Sequence, residues 1–212
     1  MTSRVWAAAA AVICLSSAVR AQSADFDYYV LSLSWSPGFC DLGGKDKSSE
    51  QCAVGSGQGF VVHGLWPNKS EGANPEDCSS FVSVSKAALQ ETHGVYPAEG
   101  LAAYEYRKHG ACTGLDALAY FKTVKSIASQ IVIPEFLKGP HEKAVMSADK
   151  IQRAFIDAND NLQPANFAVT CRAGELEDVR ICVTPDLKGF FNCPKVAGHT
   201  CHSNAVTIAP VH

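Results

Sequence analysis

Hydrophobic positions in this chain fall into short runs whose period changes along the sequence. From Phe26 to Trp35 the run FDYYVLSLSW is aromatic and β-branched and partly alternates, which predicts a strand ending at a Ser36-Pro37-Gly38 turn. Residues 41–58 are polar and glycine-rich and read as a loop. Phe60 to Leu65 predicts a second strand, stopped by Pro67, with another polar loop over residues 68–80. The period then becomes helical. Residues 98–112, AEGLAAYEYRKHGAC, combine helix formers with a closing Gly110 and predict a glycine-capped helix. Leu118, Phe121, Val124 and Ile127 lie on one stripe of a helix from Asp116 to Ile131, which Pro134 ends. Ser147 reads as the N-cap of a further helix through Ile151, Ala154 and Phe155. Two β-like runs, Asn166 to Arg172 and Leu176 to Val183, follow. There is no repeat, low-complexity tract or linker. The predicted fold class is therefore α+β, a single domain with a central, mainly antiparallel sheet packed with helices.

The first 21 residues stand outside that pattern. Arg4 supplies a positive start, the run from Val5 to Val19 is almost wholly apolar, and Val19-Arg20-Ala21 presents small residues before a cut. This predicts a signal peptide over residues 1–21 and a domain over residues 22–212. A membrane anchor fits less well, because the run is shorter than the ~20 apolar residues that span a bilayer and no second run follows. The export signal predicts a secreted or periplasmic protein, with no membrane attachment after cleavage.

Composition sharpens this picture in two ways. The full chain has 18 Lys and Arg against 21 Asp and Glu, a formal charge of -3. Loss of Arg4 and Arg20 with the leader makes the mature chain more acidic by two charges. Broad electrostatic binding of nucleic acid is thereby excluded, since it needs a basic surface; a small cationic pocket is not. Of nine cysteines, Cys14 leaves with the leader and eight remain. An even count in an exported chain implies four disulfides, although eight cysteines can pair in about 105 ways and spacing alone does not choose.

Candidate chemistry centres on two histidines. His93, His141 and His212 occur singly in polar or terminal contexts and read as solvated. His63 lies inside the apolar strand FVVHGLWP, where alternation places it with Val61 and Leu65, opposite Phe60 and Val62. An imidazole there needs a partner or a purpose. Glu105, Lys108 and His109 stand at i, i+3 and i+4, spacings that meet on one helical face, with Tyr104 flanking them. An exposed Glu105–Lys108 ion pair is the plain alternative. Against it, Cys112 ties the helix end covalently elsewhere, and Gly64 and Gly110 follow the two histidines and open the backbone to a ligand. Two imidazoles, an amine and a carboxyl suffice for phosphoryl transfer without metal. One imidazole takes a proton from the attacking hydroxyl, the other protonates the leaving oxygen, and lysine stabilises the growing negative charge. With RNA the attacking group is its own 2′-hydroxyl, and DNA is spared because it lacks that oxygen.

FVVHGLWP and YEYRKHGAC resemble the two active-site motifs of the ribonuclease T2 family, and the opening FDYYVLSLSWSPGFC is similar to that family as well. The resemblance covers most of the chain from Phe26 to the last cysteines. It implies an endoribonuclease acting on single-stranded RNA through 2′,3′-cyclic phosphates to 3′-phosphate ends, as a monomer with no cofactor, no metal and no obligate protein partner. It implies His63 as general acid, His109 as general base, and Glu105 and Lys108 as stabilisers of the pentacovalent phosphorus. Trp66 falls where the family stacks a base, and Asn68 where a polar residue contacts the base edge. Tyr104 departs from the pattern, because the family carries a third, phosphate-binding histidine there. Tyrosine can donate a hydrogen bond but no positive charge, so weaker substrate binding and a changed pH profile are expected. The resemblance also implies the pairs Cys40–Cys52, Cys78–Cys112, Cys171–Cys201 and Cys182–Cys193.

Two other readings compete. His199, Cys201 and His202 fall within four residues and are zinc-type ligands, which would suit a secreted metal-binding protein. Alternatively, Tyr104 marks an impaired RNA-binding member of the same fold. Asn68-Lys69-Ser70 also forms a glycosylation sequon, read here as accidental. Amino-terminal sequencing of protein exported by a host cell should begin at Gln22; a start at Met1 would overturn the signal-peptide reading.

Overall fold

The computed structural model describes residues 25–79, 82–139 and 142–211. The predicted leader over residues 1–21, His141 and His212 lie outside the described residues. The strands are β1 (Tyr28–Trp35), β2 (Phe60–Asn68), β3 (Ala144–Met146), β4 (Phe167–Arg172), β5 (Glu175–Val183) and β6 (Val206–Ile208). The helices are α1 (Ser36–Asp41), α2 (Lys86–Gln90), α3 (Glu99–Lys108), α4 (Ala117–Gln130), α5 (Ala148–Ala158) and α6 (Pro194–Ala197). The strands form one sheet in the order β2-β1-β5-β6-β3, with β4 also paired to β5. Its pairings are antiparallel except for a single parallel contact, Glu175 opposite Thr207, between β5 and β6. This is the expected α+β domain.

One face of the sheet makes the main core. Leu31 and Trp35 of β1, Leu65 of β2 and Ile181 of β5 pack with Phe121 of α4 and Phe155 of α5, all at or near zero exposure. The stripe read for α4 is the buried one except at Leu118, which is only partly buried. Asp116 and Ser147 cap α4 and α5 by accepting from Ala119 N and Lys150 N. The opposite face carries Tyr28, Val30 and Cys182 in a smaller cluster with Cys193. Both faces of β1 are thus covered, and all eight of its residues are buried.

Several local expectations are corrected. The Ser36-Pro37-Gly38 turn is the start of α1, because proline suits a first helical turn. Loop 41–58 contains a 3-10 turn over Gly44–Asp46. Pro67 does not stop β2; it pairs opposite Tyr29 and the strand runs on to Asn68. β2 lies at the end of the sheet order, and an edge strand tolerates a residue with no N–H to give. Gly110 is not a left-handed cap: α3 ends at Lys108, and His109 leaves it at φ -122° ψ -47°.

The largest correction concerns strand phase. Ser32 pairs with Gly64 but Leu33 pairs with Val62, so His63 is an extra residue in β2, a β-bulge. The bulge resets alternation. Val62 and Leu65 both face the core, three residues apart, and His63 stays with Val61 but parts from Leu65. A second bulge in β5 leaves Glu177 between Leu176, opposite Cys171, and Asp178, opposite Thr170. Leu176 and Val179 consequently both enter the core, while Asp178 and Arg180 fall on the other side.

Four disulfides fasten the chain: Cys40–Cys52, Cys78–Cys112, Cys171–Cys201 and Cys182–Cys193. Cys201 therefore has no thiolate to offer zinc, which removes the sulfur ligand from the metal reading. Gly110 is required for space. A Cβ there would stand 2.5 Å from the Tyr106 ring and 2.9 Å from that of Tyr120. Gly110→Ala should therefore lower stability by about 1–3 kcal/mol by overpacking; an unshifted urea-unfolding midpoint would contradict this.

Candidate active site

The site forms where the end of α3 meets the edge strand β2. Glu105, only 2% exposed, projects from the last turn of α3. Its Oε2 accepts a hydrogen bond from Trp66 Nε1 at 2.7 Å, and its Oε1 lies 3.4 Å from His63 Nε2. His109 Nε2, one turn on, is 3.9 Å from Oε2. A single buried carboxylate thus stands between both histidines. Trp66 sits between them as well, its ring centre 5.5 Å from each imidazole.

Gly64 permits this convergence. A Cβ at that position would collide with Trp66 Nε1 and stand 2.8 Å from Glu105 Oε2. The space beside Gly64 is therefore filled by the Trp66–Glu105 hydrogen bond and Gly110's by tyrosine rings, not by a ligand as the sequence suggested. Tyr120 of α4 fastens β2 here: its hydroxyl donates to Leu65 O at 2.9 Å and accepts from Leu65 N at 3.2 Å.

The two imidazoles differ electrostatically. Burial works to lower His63, but hydrogen bonding and charge from Glu105, with Asp178 adding, carry it above the ordinary 6.5 against the opposition of Arg180. His109 moves the other way. Burial lowers it, and the attraction of Glu105 and Glu76 does not make up the difference. The proton is therefore favoured on His63 over His109.

Other expected residues are placed less closely. Lys108 turns from Glu105 to pair with Glu76 at 2.8 Å and Asp77 at 3.2 Å, and these bonds hold its ammonium well above the usual lysine range. Tyr104 is half exposed on α3 and stands outside the lining of both neighbouring clefts. His93 is exposed but paired to Glu99 at 2.8 Å. Asn68 is buried, and its amide donates to Trp66 O at 3.1 Å.

Two clefts flank the pair. One, of about 580 Å³, is lined by Trp66, Asn68, His109, Arg180, Lys195 and His199. The other, of about 490 Å³, lies beside His63 with Ser34, Gln51, Val61 and Leu101. Arg180 and Lys195 bring positive charge to the first, Arg180 with its guanidinium 5.9 Å over the Trp66 ring. Sequence reasoning missed Ser34, Asp178, Arg180 and Lys195. A carboxylate inside the apolar run LEDVRICV was a usable signal, because a buried charge needs a partner.

Comparison with known proteins places this arrangement. Residues 26–193 match the model of the ribonuclease T2 family. A ribonuclease of Aeromonas hydrophila is 42% identical over 102 residues, which are 47% of this chain and 45% of that protein. A probable ribonuclease of Haemophilus influenzae is 33% identical over 123 residues, 52% of this chain and 45% of its own length. The match thus spans less than half the length of these two relatives. Ribonuclease I of Escherichia coli is 29% identical over 209 residues, covering 78% of each chain. Among solved structures, RNase NT in complex with 5′-AMP superposes with a TM-score of 0.68 at 20% identity, over 88% of this chain and 99% of that one. On the family match and the shared fold, the chain belongs to the ribonuclease T2 family.

Proposed function

We propose that this protein is an endoribonuclease that cleaves single-stranded RNA without a metal, through 2′,3′-cyclic phosphates to 3′-phosphate ends. The observation that carries the reading is one buried carboxylate set between two histidines whose proton affinities are pushed apart, the arrangement acid-base catalysis requires. His109, the more readily deprotonated, takes the proton from the 2′-hydroxyl. The freed oxygen attacks phosphorus, and the departing 5′-oxygen takes its proton from His63. In the second step the roles reverse: His63 accepts a proton from water and His109 returns one to the 2′-oxygen.

Glu105 acts on the phosphorane through the groups it holds, favouring the protonated form of His63 and keeping Trp66 in place. Lys108 reaches the phosphorane by exchanging Glu76 and Asp77 for substrate oxygens. Arg180 and Lys195 favour an anion in the larger cleft, where Trp66 and Asn68 suit a base. Clefts on both sides of the histidines support a strand running across the site, with a base on each side of the scissile phosphate. The apolar leader and the four disulfides support a secreted or periplasmic location.

RNA incubated with the protein in EDTA should yield cyclic-phosphate ends, and His63→Ala and His109→Ala should each lower the rate at least about 100-fold. Full activity in either variant would overturn the assignment. The pH dependence follows from the two shifts. Rate rises as His109 loses its proton, on a limb below 6.5, and falls as His63 loses its own, on a limb above 6.5. A bell-shaped kcat/KM is expected; a profile lacking either limb would contradict the assigned roles.

A further inference from the structure

His63 has a second partner that the proposed mechanism does not use. Ser34 Oγ lies 3.2 Å from His63 Nδ1, and the same hydroxyl donates to Asp178 Oδ1 at 2.7 Å. Ser34 and Asp178 are direct cross-strand partners of β1 and β5, 8% and 5% exposed. Asp178 Oδ2 accepts from Arg180 Nη2 at 2.9 Å. The bulges that expel His63 and Glu177 from register put all four side chains on one side of the sheet.

The chain of donors has only one consistent direction. A carboxylate paired with arginine accepts hydrogen bonds and has none to give, so the single Ser34 hydrogen points at Asp178. The Ser34 oxygen is then left as an acceptor towards His63. The imidazole meets it with Nδ1–H at 3.2 Å; Nε2 also faces an acceptor, Glu105 Oε1 at 3.4 Å, so the imidazolium satisfies both, and the shorter contact, to the buried Ser34, leaves Nε2 as the nitrogen that gives up its proton.

We propose that Ser34 and Asp178 are positioning residues that lock neutral His63 in its Nδ1–H tautomer and so reserve Nε2 for proton transfer to the substrate. The proposal rests on the ribonuclease reading for its consequence in catalysis, but the tautomer itself does not depend on any reaction. The charged groups facing His63 are Glu105 from α3 and Asp178 and Arg180 from β5. Asp178 favours the imidazolium through Ser34, so weakening the chain lowers the proton affinity of His63.

Asp178→Asn is the sharpest probe. Its amide can donate to Ser34 Oγ, which turns the hydroxyl hydrogen towards Nδ1 and reverses the tautomer. Imidazole nitrogen chemical shifts of the isotope-labelled protein, recorded above the titration of His63, should show Nδ1–H in the parent, Nε2–H in Asp178→Asn and a mixture in Ser34→Ala. In RNA cleavage both variants should lose about 10- to 100-fold in kcat with little change in KM, as for other residues that orient a functional imidazole. Their alkaline limb should move to lower pH, and Ser34→Thr, which keeps the hydroxyl, should restore it. An Nε2–H tautomer in the parent overturns the proposal. So do variants matching the parent in both tautomer and pH profile while RNA is still cleaved. If instead the parent shows Nδ1–H but cleaves no RNA, the ribonuclease reading fails and the positioning role stands.

Discussion

A carboxylate that is 2% exposed must be met by donors on almost every side, and the placement of Glu105 governs much of this molecule. Its two oxygens are divided among the Trp66 indole and the His63 and His109 imidazoles, at 2.7, 3.4 and 3.9 Å. Those groups come from two elements, so the end of α3 is fixed against β2 within the tolerance of a hydrogen bond. Leaving such a charge unpaired costs on the order of several kcal/mol. The glycines follow from it: Gly64 clears the line between indole and carboxylate, and Gly110 admits the tyrosine rings beside it. The Cys78–Cys112 bridge ties the chain just beyond His109 to the segment that supplies Glu76 and Asp77 to Lys108.

Two bulges make the rest possible. In a regular strand every second side chain faces the core, so a strand with Val62 and Leu65 both inward must contain one extra residue, and that residue is His63. The same device at Glu177 sends Leu176 and Val179 inward while Asp178 faces Ser34. The sheet thereby keeps an unbroken apolar face for the helices and gathers its polar residues on the other side.

The broad architecture was legible in the sequence because its signals are periodic or covalent. The α4 stripe, the Asp116 and Ser147 caps and the β1 run declare themselves over many residues. His63, Glu105 and His109 were legible because imidazole and carboxyl groups in those settings need a reason to be there. What escaped was pairing information. Period-two reasoning cannot see a bulge, since an extra residue is defined by its partner strand, so His63 was grouped with Leu65 and Pro67 was read as a stop. Helical spacing put Lys108 beside Glu105, whereas two carboxylates more than thirty positions away in the chain, Glu76 and Asp77, took its charge. Ser34 carries no signal of its own, because its importance lies in Asp178, which is 144 positions away.

The separation of the two imidazoles is a consequence of that same long-range pairing. Both share Glu105, so the carboxylate alone would raise both. Burial lowers both; they diverge because His63 gains a hydrogen bond to Glu105 as well as the attraction of its charge, with Asp178 adding, whereas at His109 the charges of Glu105, Glu76 and Asp77 do not outweigh burial, with Lys108 opposing. A buried negative charge common to two groups thus yields one proton holder and one proton acceptor. For a chain with a net charge of -3 this has a further consequence. On the proposed ribonuclease reading, attraction to a polyanion would come from Arg180, Lys195 and a protonated His63 rather than from the surface as a whole, so the grip on a phosphate would rise and fall with the same proton that catalysis spends.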